Sequence, residues 1–164
     1  MTSIKPTPHF GWIRGQFSGG SVDLNFDRRQ NSVSGESLGD SVSVSTSQDD
    51  KWVTGQAHAQ EVKLEQDWSP RLVKLNGWAN GARYTMTVDY DRNQANGSSA
   101  GRSIALQFDR EQGWIRGQGA AGQVDVKLSQ DGQLSGRLDG APVQAEMINL
   151  DLGHLLSHWY LVTR

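Results

Sequence analysis

Trp12, Trp52 and Trp114 each stand three residues before a glycine and four before a glutamine, in the segments Trp12-Ile-Arg-Gly-Gln16, Trp52-Val-Thr-Gly-Gln56 and Trp114-Ile-Arg-Gly-Gln118. On extended backbone, side chains two residues apart share a face. Each tryptophan is therefore in line with its glutamine, and in two of the segments Arg14 and Arg116 lie between them. An aromatic face stacks on C–H groups while amide and guanidinium donors read hydroxyls. Trp12, Trp52, Trp114, Gln16, Gln56, Gln118, Arg14 and Arg116 thus form a candidate ligand-binding set, for a carbohydrate or a protein partner. Packing between copies of the chain uses the same flat, amphipathic rings, so a homo-oligomer is a further expectation. Trp78, one residue after its glycine, falls on the same face. The competing account is that the C-terminal tail or a partner subunit covers this face and the tryptophans are structural.

His154 and His158 are four residues apart, which on a helix places both imidazoles on one side as potential metal ligands. No third ligand stands at a fixed spacing, so ordinary polar roles are the simpler account and no metal is expected. His9 has no motif around it, and His58 falls at an expected turn, where exposure is the simpler account. The segments Asp27-Arg-Arg-Gln30, Asp91-Arg-Asn-Gln94 and Asp109-Arg-Glu-Gln112 offer carboxylates and guanidinium groups to calcium or an anion. Turn chemistry already explains them, because aspartate caps a turn through its own side chain. The sequence has no nucleophile elbow, phosphate loop, dinucleotide fingerprint or zinc-protease motif. No catalytic residue and no cofactor is expected.

The composition limits the partners. Sixteen basic and 18 acidic residues are scattered along 164 residues for a net charge of −2, so nothing resembles the basic stripe that phosphate backbones or anionic lipid need. Nucleic acid and membrane are accordingly not expected as partners. The chain has no cysteine, which removes disulfides, thiolate catalysis and Cys-ligated zinc together. Met1 to His9 lacks a basic segment followed by an apolar run, and no stretch has the length of a membrane helix. The expectation is a soluble chain with no export signal as it stands, either cytoplasmic or exported with its leader removed.

The elements that must position these residues emerge from a repeat. An apolar residue, any residue and then glycine recurs with glycine at 15, 35, 55, 77, 97, 117 and 136, spaced by 20, 20, 22, 20, 20 and 19. Seven residues after each glycine an alternating run begins, such as Val22-Leu24-Phe26 or Ile104-Leu106-Phe108, the pattern of a strand with one buried face. The third and fourth residues after each glycine then fall at a turn: Ser18-Gly19, Leu38-Gly39, His58-Ala59, Asn80-Gly81, Ala100-Gly101, Ala120-Ala121 and Asp139-Gly140. Five of these seven pairs end in glycine, as a two-residue type I′ turn favours. The register follows, with Gly15 opposite Val22, Ile13 opposite Leu24, Arg14 opposite Asp23 and Arg116 opposite Asp125. A β-solenoid with coils of about 20 residues is the alternative, although its corners have no need of I′ chemistry.

The predicted fold is all-β: an up-and-down antiparallel meander of seven hairpins in one domain, with repeats at about 9–150 and a closing segment at 151–164. A circular barrel of that many strands has a lumen wider than its side chains fill, which points to a flattened barrel or a sandwich. The apolar tail from Leu152 breaks the repeat and reads as a short helix then a strand, or as one helix, that closes or fills the sheet. Three functions fit. The first is a non-catalytic binding or interaction module using the tryptophan face. The second is a barrel carrying a small apolar ligand, and the third an enzyme with an unrecognised rim site.

Overall fold

The computed structural model describes residues 10–17, 20–27, 30–49, 51–138 and 140–163. Fourteen strands follow one another: β1 (Phe10–Phe17), β2 (Gly20–Asp27), β3 (Ser32–Ser37), β4 (Asp40–Thr46), β5 (Trp52–Ala57), β6 (Gln60–Trp68) and β7 (Leu72–Ala79). They continue with β8 (Ala82–Asp89), β9 (Gln94–Ser99), β10 (Arg102–Asp109), β11 (Trp114–Gln118), β12 (Gln123–Leu128), β13 (Gln133–Leu138) and β14 (Ala141–Ile148). Each pairs antiparallel with its sequence neighbours, and β14 pairs with β1 to close a barrel. Closure excludes the sandwich, and antiparallel pairing excludes the solenoid. Among the described residues no helix is long and apolar enough to cross a membrane.

The hairpin register is the one the repeat predicts. Gly15 faces Val22, Ile13 faces Leu24, and Arg14 faces Asp23 with Nε 3.1 Å from Oδ1. Arg116 and Asp125 are paired in the same way at 3.5 Å. Four turns have positive φ at both central residues: Leu38-Gly39, His58-Ala59, Asn80-Gly81 and Ala100-Gly101. The Ala120-Ala121 connection differs, with neither alanine at positive φ and the Gly119 N–H donating to the Gly122 carbonyl. Ser18-Gly19 and Asp139 lie outside the described residues, as do His9, Arg28 and Arg29.

The repeated glycine has a packing reason that its spacing does not disclose. Gly55 faces the lumen at φ +148, and a Cβ there would stand 1.9 Å from the Ser43 carbonyl oxygen of β4. Gly117 repeats this at φ +145 against Ala105 of β10, at 2.2 Å. A strand that passes this close over its neighbour's backbone excludes every side chain, and such glycine positions let a sheet bend at barrel corners.

Inside the wall, the alternating residues form one continuous core. Fourteen strands enclose more space than these can fill. The tail supplies the rest as two short helices, α1 (Leu152–Ser157) and α2 (Trp159–Val162), so the strand considered for this segment does not form. Leu152, Leu155, Leu156, Trp159, Tyr160, Leu161 and Val162 are all buried in the lumen. Each large apolar side chain removed from water contributes about 1.5–3 kcal/mol, which holds so short a helical segment in place.

A helix ending inside a barrel leaves carbonyls without helical partners. Three successive hairpin ends supply the donors. Ser37 Oγ donates to the Leu161 carbonyl, His58 Nε2 lies 3.2 Å from the Tyr160 carbonyl, and Asn80 Nδ2 donates to the Thr163 carbonyl at 3.2 Å. His58 is therefore buried rather than exposed at its turn. The chain descends through the barrel from the long-loop end and is fastened at the tight-turn end.

Candidate functional site

The tryptophan set lies on the outside of the barrel. Arg14, Trp52, Gln16, Gln56, Arg116 and Gln118 are exposed, and Trp12 and Trp114 are half-buried. The tail does not cover this face, because it occupies the lumen. Closure of the sheet, however, separates the rings: β1 and β5 are four strands apart, as are β1 and β11. At about 4.8 Å per strand, that is roughly 19 Å along the sheet. Each ring has its own cation instead. The Arg14 guanidinium lies 5.0 Å from the Trp12 centroid, the Lys63 ammonium 5.6 Å from Trp52, and the Arg116 guanidinium 4.7 Å from Trp114. Arg116 and Gln118 border a shallow groove on β9–β11 together with Gln94, Asn96 and Gln107.

The aspartates of the long loops are occupied in their own turns. Asp109 Oδ1 accepts from the N–H groups of Glu111 and Gln112 at 2.9 and 3.0 Å. Asp27 accepts from Gln30 N–H at 3.2 Å. In the Asp91–Gln94 connection the capping carboxylate is Asp89, which accepts from Asp91 and Arg92 N–H. Among the described residues no three His, Asp or Glu side chains gather as a metal site.

A second concavity enters the barrel. A cavity of about 610 Å³ opens at the long-loop end, between α1 and the wall formed by β2 to β7. Side-chain size explains its position. Val33, Val44 and Val53 face the lumen on β3 to β5, where β2 presents Leu24 and Phe26 and β10 presents Leu106 and Phe108. Helix α1 packs on β8, beyond the β7 edge of this wall, and the cavity lies between the helix and the valine strands. Phe26 and Val73 complete the apolar floor, while Trp68, Tyr90, Arg110, Asp151, His154, Ser157 and His158 stand around the mouth.

Local structure fixes these mouth residues. Asp151 is the N-cap of α1, its Oδ1 accepting from the His154 N–H at 3.1 Å. His154 Nδ1 reaches back, 2.9 Å from Asp151 Oδ1 and 3.2 Å from the Asp151 amide nitrogen. Protonated at Nδ1 it donates to the carboxylate; unprotonated there, it accepts from the amide. The hydrogen bond from His154 is the main reason the Asp151 carboxyl is held down to about 2. One turn on, His158 Nδ1 lies 2.8 Å from the His154 carbonyl oxygen, and the His158 ring meets Phe26 edge-on at 5.0 Å. Burial lowers the His158 pKa to about 4, so this imidazole is neutral at pH 7. Arg110 lies 4.4 Å from the Tyr90 ring centroid, and burial pushes the Tyr90 phenol up.

Sequence reasoning paired His154 with His158 but did not place them at a cavity. Trp68, 58% exposed, was outside the candidate set altogether. Its signal is the alternation Val62-Leu64-Gln66-Trp68, which carries the lumen-facing parity of β6 past a polar residue to the rim. Comparison with known protein families, with curated proteins and with solved structures finds no match to this chain. The cavity's own chemistry therefore carries the functional reading.

Proposed function

We propose that this protein is a non-catalytic binding barrel that holds a small, largely apolar molecule in its lumen. The observation that carries the reading is the 610 Å³ cavity, with a valine and phenylalanine floor and a polar mouth. Ligand sites of about 300–1,000 Å³ with apolar walls and a few convergent polar groups are the common form of small-molecule pocket. A non-catalytic role is supported by the commitments of the ionisable groups: Asp151 and His154 serve each other and the end of α1. The neutral fluorophore N-phenyl-1-naphthylamine tests the proposal. It should bind saturably with a blue-shifted emission, and Val44→Phe, which narrows the cavity at its valine wall, should weaken binding while the protein remains folded. Absence of saturable binding to the parent protein overturns the reading.

A second reading rests on the outer groove of β9–β11, where Gln94, Asn96, Gln107, Gln118 and Arg116 collect amide and guanidinium donors beside Trp114. This composition suits a neutral carbohydrate. Glycan-array binding that is lost in Trp114→Ala but kept in Val44→Phe would favour the groove over the lumen.

A further inference from the structure

We infer that the lumen ligand carries a hydroxyl group, as a hydrophobic alcohol or phenol does, and that His158 Nε2 accepts its hydrogen bond. The inference rests on the cavity reading and adds the chemistry of the ligand's polar end. A backbone carbonyl can only accept, so the 2.8 Å contact between His158 Nδ1 and the His154 carbonyl oxygen fixes the ring proton on Nδ1. The lone pair is then on Nε2, on the ring edge turned away from that carbonyl. His158 lines the cavity and packs edge-on against Phe26 of the wall. Among the described residues no hydrogen bond reaches its Nε2.

A neutral acceptor beside an apolar wall selects a donor of matching polarity. An ionised carboxylate has no proton to give, and the mouth already carries the carboxylates of Asp27 and Asp151. The Arg110 guanidinium, which could offset an anion, is stacked on Tyr90. An ammonium would hold its charge against Phe26 and the valines, where desolvation opposes it. A hydroxyl needs one acceptor and leaves the rest of the molecule to the apolar floor.

Displacement of N-phenyl-1-naphthylamine from the full chain separates this inference from the reading beneath it. Decan-1-ol, 1-methoxydecane and decanoate have similar chains and differ in their heads. Decan-1-ol should displace the fluorophore at about tenfold lower concentration than the ether, the worth of one hydrogen bond in an apolar site. Decanoate should be the weakest. In His158→Phe the alcohol should lose its advantage while the ether displaces as before. In the unaltered protein, the ¹⁵N resonance of His158 Nε2 should move upfield on adding decan-1-ol and stay in place with the ether, a readout that does not depend on the variant folding. Equal displacement by alcohol and ether, with an unmoved resonance, overturns the hydroxyl assignment and leaves the cavity reading standing. Failure of all three compounds and of the fluorophore overturns both.

Discussion

His58, at the tip of the β5–β6 turn, reaches across 102 residues of sequence to the carbonyl of Tyr160, its Nε2 3.2 Å from the oxygen. The turn accepts two side chains at positive φ to do this, with His58 at 54° and Ala59 at 62°. Non-glycine residues resist that region. The arrangement persists because the imidazole serves the inner end of the plug.

The same logic gives a stability prediction at Ser37. Its hydroxyl serves the Leu161 carbonyl in a fully buried position. Ser37→Ala should destabilise the protein by about 1–3 kcal/mol, because a buried carbonyl loses its partner while little volume changes. Urea midpoints of parent and variant measure it. Unchanged midpoints would mean that the plug does not depend on this bond.

Acid should loosen the plug through His158. In the unfolded chain this group titrates near 6.5, whereas in the barrel burial holds it down to about 4. As pH falls through that window the unfolded state takes up a proton that the folded state refuses. Stability should therefore be fully present above about pH 6.5 and decline toward pH 4, by about 2–3 kcal/mol in total. Asp151 works lower, since its stabilising contribution is lost as pH falls from 3.8 toward about 2. Denaturant midpoints between pH 7.5 and 4 should show the first decline in the parent and a shallower one in His158→Phe. Parallel profiles would show that His158 is not the group responsible.

The repeat glycines and the turn glycines should respond differently to the same substitution. Gly55→Ala drives a Cβ to 1.9 Å from backbone that cannot move alone, and should destabilise by more than about 2 kcal/mol. At Gly101 nothing lies within 4 Å, and only φ +81 opposes a side chain, so Gly101→Ala should cost about 1 kcal/mol. Gly81→Val should cost on the order of 1 kcal/mol or more at φ +75, and Ala121→Val less, because Ala121 is not at positive φ. Thermal midpoints of the four variants test the order.

Much of this barrel is legible in its residues. Period-two alternation identifies the lumen face, and the Asn80-Gly81 turn and the Arg14–Asp23 pair locate the register, because all three depend on neighbours within about ten residues. Closure, the conformation of the tail and the burial of His58 depend on contacts between distant segments, which local pattern does not encode. The cavity was half legible. Residue size marks it, since valines replace Leu24, Phe26, Leu106 and Phe108 on β3 to β5, but finding it also requires knowing that α1 leans on β8. The tryptophan row is where local pattern misleads. Three similar faces on a linear repeat look contiguous, and closing the sheet turns them away from one another.

That separation makes the outward tryptophans a test of independence between surface and lumen. Trp12 and Trp114 project from the outer face, half-buried under Arg14 and Arg116, and neither contributes to the buried core. Replacing both by alanine removes one cation–π contact at each site, worth about 0.5–1 kcal/mol, together with part of the ring's apolar contact. The double variant should fold, with a urea midpoint lowered by the equivalent of about 1–2 kcal/mol, and its two losses should add because the sites are far apart. It should bind N-phenyl-1-naphthylamine as the parent does, since the valine wall and α1 are untouched. Loss of fluorophore binding in a folded double variant would place the apolar site on the outer face and remove the case for the lumen. Outright unfolding would instead assign the two rings to the structure of the wall.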